Sequence, residues 1–179
     1  HLQRNLGRNG LENVHVVAAA LGAEPGVVDL HLAHGVHAGH NTLGEFAHDD
    51  VVRASSERVA LETLDAVVAR HGLSQVDMVK IDVEGGEAGV IAGAREVLTT
   101  MRPVLLMELN DRALRAQGHS ADILVQTLRN DFGYEVLGFS SSDGTPSQLT
   151  DDVPKSANIV ALATGSDQRC EKYPSDLQV

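Results

Sequence analysis

Three carboxylates and a lysine fall within eight residues, Lys80-Ile81-Asp82-Val83-Glu84-Gly85-Gly86-Glu87. Asp82 and Glu84 are two apart, which puts both on one face of an extended chain. Carboxylates so placed can take a proton from a reacting group or share a hard divalent cation with further oxygen donors. Lys80 sits in an otherwise apolar stretch. It either pairs with Asp82 or Glu108 and orients its partner, or packs its stem while its head reaches water. Glu84 has two open readings: it holds the turn through backbone N–H groups, or it contacts a ligand. Glu87 opens the next apolar-periodic segment, where a carboxylate favours a helix by about 0.3–1 kcal/mol. A structural role is the plainer reading there.

Glu108, Asn110 and Asp111 close a second apolar run, Val104 to Leu109. With Asp82 they would form an all-oxygen cluster of the kind Mg²⁺ takes. Alternatively, Asn110-Asp111 caps the segment that follows. His31, His34, His37 and His40 recur every three residues. Gly35 and Gly39 argue against a helix that would align them, and in a strand a spacing of three alternates faces. The tract is therefore a weak metal site. His40 alone is a candidate base, set against the reading of a solvated loop histidine.

These groups need elements to position them. Val76 to Val83 reads as a buried strand, and the helix that follows, Ala88 to Thr100, carries Ile91, Ala94 and Leu98 on one side, with Pro103 just beyond. The carboxylates thus lie at the turn between strand and helix. In open α/β sheets, ligands bind outside the carboxyl ends of strands, whereas acidic groups in a core only add desolvation cost. Gly85-Gly86 permits a tight exit and close ligand approach.

Elsewhere, Leu2 and Leu6 share a helical face ended by Asn9-Gly10. Val14 to Leu21 is a strand candidate, Glu24-Pro25-Gly26 a turn, and Val27 to Leu32 alternates as a half-buried strand. Gly35 to Asn41 is loop, and Val51 to Leu61 is mostly extended. Thr63 caps a helix bearing Leu64, Val67 and Val68, ended by His71-Gly72. Ser120 caps another, with Leu124, Leu128 and Phe132 inward and Gly133 at its end. Tyr134 to Phe139 and Asn158 to Ala163 are strands joined by a polar loop, Ser140 to Pro154. The alternation predicts an α/β domain over 1–165: a mostly parallel sheet, helices on both faces and an antiparallel C-terminal edge. Residues 166–179 read as a disordered tail with little to bury.

A chain of 179 residues suffices for one domain with a sizeable core. A net charge of −11 with no basic patch, and aromatic residues at 3% with no Trp, exclude a phosphate-gripping or base-stacking surface, so no nucleic-acid partner is expected. No apolar run reaches membrane-spanning length, and no membrane partner is expected. Cys170 is the single cysteine, which fits a reducing compartment and a cytoplasmic location. The excess of Arg over Lys, with abundant Ala, Val and Gly, hints at a GC-rich bacterial genome.

The chain resembles FkbM-type methyltransferases from about His1 to Phe139. The resemblance is carried, in order, by Asn9-Gly10-Leu11-Glu12-Asn13-Val14 with Ala19-Ala20-Leu21-Gly22, Gly39-His40-Asn41-Thr42-Leu43, Thr63-Leu64-Asp65, Lys80 to Glu87, and Arg102-Pro103-Val104 with Glu108-Leu109. It implies a Rossmann-like class I fold that uses S-adenosylmethionine to methylate a hydroxyl of a small molecule, a sugar or secondary metabolite. By family position, Asp82, Glu84, Glu108 and His40 are the catalytic candidates, and Ala20, Leu21 and Asp82 the cofactor-binding ones. Catechol-type O-methyltransferases hold a metal at this level of the sheet, so Mg²⁺ with Asp82, Glu108 and Asn110 is a secondary expectation. The family's opening strand with its Gly-rich turn, and the strand ending in a ribose-binding acid, have no counterpart here. The expectation is a domain without its first cofactor-binding half and with an exposed edge beside Val76–Val83. Two other functions compete: a catalytically silent module of the same fold, and a Mg²⁺-dependent phosphate hydrolase using Asp82 and Glu84. The hydrolase ranks last because such enzymes usually carry their paired acids after the first strand.

Overall fold

The computed structural model describes residues 2–34, 41–44, 46, 53–149 and 153–165. The chain runs α1 (Leu2–Arg8), β1 (Ala20–Leu21), β2 (Gly26–Ala33), β3 (Arg53–Glu62), α2 (Leu64–Arg70), β4 (Met78–Ile81), α3 (Glu87–Ala92), a π-helical turn (Val97–Met101), β5 (Val104–Asn110), α4 (Asp111–Ala116), α5 (Ala121–Asn130), β6 (Tyr134–Phe139), β7 (Pro146–Gln148) and β8 (Ser156–Ala163). The strands form two sheets, ordered β1-β3-β2 and β4-β5-β8-β6-β7. Among the described residues no helix is long and apolar enough to cross a membrane.

The architecture is α/β, but the sheets are mixed rather than mostly parallel. Only β1–β3 and β4–β5 pair in parallel, while β2–β3, β5–β8, β8–β6 and β6–β7 are antiparallel. The closing strand is not an edge. Ile159 and Ala161 are fully buried, and β8 enters between β5 and β6. The expected polar loop supplies the edge instead: β7 folds back on β6 through a turn in which Asp143 accepts from Thr145. Among the described residues, helices do not line both faces of this sheet. Ile81, Leu105, Met107, Leu109, Tyr134, Val136, Ile159 and Ala161 form one core with α3, α4 and α5. On the opposite face Lys80, Glu108 and Asn158 are exposed, and Leu106, Leu137 and Val160 are half-buried.

The expected strand Val14–Leu21 shrinks to its last two residues, because only Ala20 and Leu21 find partners, on Leu61 and Glu62. Val14 and Val16 remain exposed. The expected strand Val76–Val83 is regular only over Met78–Ile81, leaving Asp82 and Val83 beyond its end. As expected, β4 stands at the edge of its sheet.

The helix expected over Ala88–Thr100 breaks after Ala92, and Asp65 is the reason. In an unbroken helix Val97 N–H would donate to the Gly93 carbonyl. Here that carbonyl accepts from Asp65 N–H at 3.1 Å. The N–H groups of Glu96 and Val97 donate instead to the Asp65 carboxylate, at 3.0 and 2.9 Å. Gly93 also lies against β1's exit, where an added Cβ would come within 2.1 Å of the Gly22 carbonyl oxygen. Only glycine fits. The other end of the sheet is tied by Arg102, which donates to the carbonyls of Phe132, Gly133 and Thr164 at 3.4, 3.3 and 3.0 Å.

Candidate functional site

Asp82 emerges from the tip of β4 onto the helix-free face, and its carboxylate accepts from Lys80 Nζ at 2.5 Å. Of the two partners open to Lys80, it takes Asp82. The side chains are 61% and 42% exposed, so the pair adds at most about 1 kcal/mol of stability. Its effect is to orient the carboxylate. Asp82 lies just past the Ile81–Met107 pair, and the next residue of β5, Glu108, faces Asn158 on β8. The result is a polar row across three strand ends, above a half-buried apolar surface of Leu106 and Val160.

Beyond Asp82 the backbone turns through two left-handed residues, Glu84 at φ 50° and Gly85 at φ 99°. A non-glycine residue in that region costs about 1–3 kcal/mol and persists only where its surroundings enforce it. Three elements do so. Thr42, on the loop after β2, donates its hydroxyl to the Glu84 carbonyl at 3.0 Å. Gln117, at the end of α4, donates to the same oxygen at 3.2 Å. Glu87, the first residue of α3, accepts the Gly85 N–H at 3.2 Å. Glu84 thus shapes the turn through its carbonyl, which accepts from both residues. Gly85 permits the tight exit expected of it and also makes room for a neighbouring helix. A Cβ there would lie 2.6 Å from the Ala113 carbonyl, so the glycine lets α4 pack against the turn.

Glu87 is only 2% exposed. Burial pushes its carboxyl above the ordinary value of 4.5, and the nearby Glu84 charge adds to this, while backbone N–H groups of the turn pull the other way. Asp111 shifts in the opposite direction. Arg115 Nε donates to it at 2.7 Å and Ala121 N–H at 2.9 Å, which hold it below 3.8.

The all-oxygen cluster is not assembled. Asn110 caps α4 by accepting from Ala113 N–H at 3.2 Å, and Asp111 is buried in its bridge between α4 and α5. Among the described residues no group of three His, Cys, Asp or Glu side chains could hold a metal ion. His31 places Nδ1 2.8 Å from Ser56 Oγ across the β2–β3 pair, and His34 is exposed. His37 and His40 lie outside the described residues. Ala20 and Leu21 are half-buried, and Leu21 packs against the core. The exit of β1, Gly22 and Ala23, lies against Gly89 of α3. That places it within the roughly 9 Å length of a six-residue helix from the acidic turn. A surface recess of about 370 Å³, lined by Arg129, Tyr134, Val136 and Gln148, lies at the opposite edge of the sheet. It is about three strand spacings, or 14 Å, from β4.

Sequence reasoning missed four residues that hold the acidic turn or the fold around it. Thr42, Asp65 and Arg102 each fall inside stretches that carry the family resemblance, so the signal was present without its meaning. Gln117 carried none.

An α/β domain with an acidic turn at a strand tip is thereby defined, and its family is established by sequence. The methyltransferase FkbM domain matches residues 3–136, and the chain belongs to that family. It is 34% identical over 88 residues to the AMB antimetabolite synthetase AmbE of Pseudomonas aeruginosa, a match spanning 49% of this chain and 4% of that protein. The crystal structure of methyltransferase FkbM from Methylobacillus flagellatus aligns with 90% of this chain and 32% of its own, at 15% identity and a TM-score of 0.49.

Proposed function

We propose that the chain acts as an S-adenosylmethionine-dependent O-methyltransferase on a hydroxyl of a small molecule, a sugar or secondary metabolite. The observation that carries this reading is Asp82: an exposed carboxylate, oriented by Lys80, at the carboxyl end of a strand in a chain of the FkbM family. The parallel β4–β5 pair bridged by α3 supports the Rossmann-like class I fold. Similarity to a stretch of an antimetabolite synthetase supports an acceptor from secondary metabolism. The charge of −11 favours a small acceptor over a nucleic acid, and the single cysteine favours the cytoplasm.

The residues present fit the cofactor's charge and its flat apolar ring. Asp82 would face its cationic part, and Ala20 and Leu21 would line its adenine. S-adenosylmethionine supplies a methyl on positively charged sulfur. The chain's own part is alignment and proton removal. Holding a hydroxyl in line with that methyl lowers the barrier through orientation. Asp82, Glu84 and Glu108 are the carboxylates at hand to take the hydroxyl proton, and His40 is a further candidate base. Half-buried Leu106 and Val160 offer an apolar floor for the acceptor's body.

The test is titration calorimetry of the full-length protein with S-adenosylmethionine, followed by transfer of a labelled methyl to polyhydroxylated acceptors. Binding that is lost in Asp82→Asn supports the reading. Wild-type protein that binds no cofactor and transfers no methyl overturns it in favour of a silent module.

A further inference from the structure

We propose that Glu87 is a positioning residue: through the Gly85 N–H its buried carboxyl sets the direction in which Asp82 and Glu84 leave the tip of β4. This deepens the methyltransferase reading and rests on it.

A glutamate is almost never fully buried unless it is paired. Glu87 is 98% buried, its Oε1 accepts from the Gly85 N–H, and its Oε2 has no hydrogen-bond partner among the described residues. A carboxylate serving only the helix start would sit at the surface, as Asp122 does in the first turn of α5, half-buried and 3.1 Å from Lys155 Nζ. An apolar side chain of the same volume would fill the site of Glu87 with less desolvation. What the carboxyl adds is an acceptor for Gly85.

That N–H belongs to the second of two successive left-handed residues, where no regular ladder offers it a partner. Thr42 and Gln117 hold the carbonyl of the Glu84–Gly85 peptide, and Glu87 holds the N–H of the same peptide. With that peptide gripped at both of its polar atoms, the left-handed turn between β4 and α3 is held in place, and with it the direction in which the acidic side chains leave. Glu87 touches neither cofactor nor acceptor in this account. It acts through the backbone.

Glu87→Gln keeps the carbonyl acceptor, and Glu87→Leu fills the volume without one. Two quantities are read on the full chain: amide hydrogen exchange at Gly85 and calorimetric affinity for S-adenosylmethionine. Glu87→Leu should exchange the Gly85 amide at least tenfold faster and bind at least tenfold more weakly, with unchanged circular dichroism. Glu87→Gln should stay within threefold of wild type on both. Wild-type protection of Gly85 in the leucine variant overturns the proposal, as does faster exchange with unaltered affinity. If the leucine variant does not fold, the glutamine variant decides, and loss of protection there overturns it too. Wild-type protein that binds no cofactor refutes the methyltransferase reading instead, and the exchange rates still judge the role of Glu87 in the turn.

Discussion

The Thr42 hydroxyl donates to the Glu84 carbonyl oxygen at 3.0 Å, joining the loop after β2 to the acidic turn after β4. Two stretches that resemble the family separately are thus one structural unit, and Thr42 is buried to 2% exposure at their junction. Thr42→Val keeps the shape and deletes the bond. The variant removes one donor to the Glu84 carbonyl, which Gln117 still serves, and the acceptor of the Gly44 N–H, and should cost about 1–2 kcal/mol. Urea unfolding measures this, and a variant as stable as wild type would remove Thr42 from the clamp.

Asp82→Asn separates chemistry from folding. The Lys80–Asp82 pair is exposed, so stability should change by less than about 1 kcal/mol. If Asp82 handles the acceptor proton, methyl transfer by the full-length protein should fall about 10²–10⁴-fold. Undiminished turnover in a radiolabel assay would exclude Asp82 from the reaction.

Asp65→Ala deletes the acceptor that replaces a helical carbonyl for Glu96 and Val97. The expected loss is about 1–2 kcal/mol, the range for removing a helix cap. In a domain of this size each kcal/mol lowers the melting temperature by about 2–4 °C. Scanning calorimetry checks it, and an unshifted melt would mean that water serves those N–H groups equally well.

Glu87 and Asp111 make stability depend on pH in opposite senses. Glu87 holds its proton more tightly folded than unfolded, so its contribution is full below 4.5 and is lost as pH rises through its raised value. Asp111 holds its proton less tightly when folded. Its contribution is present above 3.8 and lost as pH falls through its lowered value. Glu87→Gln should therefore gain on wild type as pH rises, and Asp111→Asn should flatten the acid side. Urea midpoints across pH 3 to about pH 8 test both. Profiles parallel to wild type would show that neither carboxyl titrates differently on folding.

The β4 edge predicts association. Its neighbour is present on one side only, and Met78 on the helix-free face is 57% exposed. Edge strands of this kind pair with other chains unless charged. The isolated chain should elute above monomer size, and Met78→Lys should reduce that fraction severalfold. A monodisperse, heat-stable wild-type monomer would contradict the prediction.

Local signals carried the elements that could be read. A short run holding Tyr, Val, Leu and Phe just after the helix stop at Gly133 marks β6 at its observed bounds, Tyr134–Phe139. The hydroxyls of Thr63 and Ser120 set the starts of α2 and α5 by accepting from Ala66 and Ile123. What stayed hidden depends on partners far along the chain. Ile159 to Ala163 is apolar throughout, and such a run does not say whether it lies inside a sheet or at its edge. The break in the long helix is made by Asp65, 32 residues before Val97. Helix α4 was legible only in the alternative reading of Asn110-Asp111 as a cap rather than as ligands: Asn110 does cap it, and Asp111 links it to α5. In the candidate site, Asp82 was legible because its position follows from the strand before it. The clamp on Glu84 was not, since Thr42 and Gln117 reach it from 42 and 33 residues away.

Arg102 grips three main-chain oxygens from two separate stretches of the polypeptide, the Phe132-Gly133 corner and Thr164. A planar fork suits that task, and a lysine's single ammonium does not. Because every acceptor is an amide oxygen, this grip asks nothing of the side chains at 132, 133 and 164 and everything of the fork at 102. In a collection of variants, then, Phe132 should answer to its burial and Gly133 to its left-handed backbone, while position 102 answers to the knot itself.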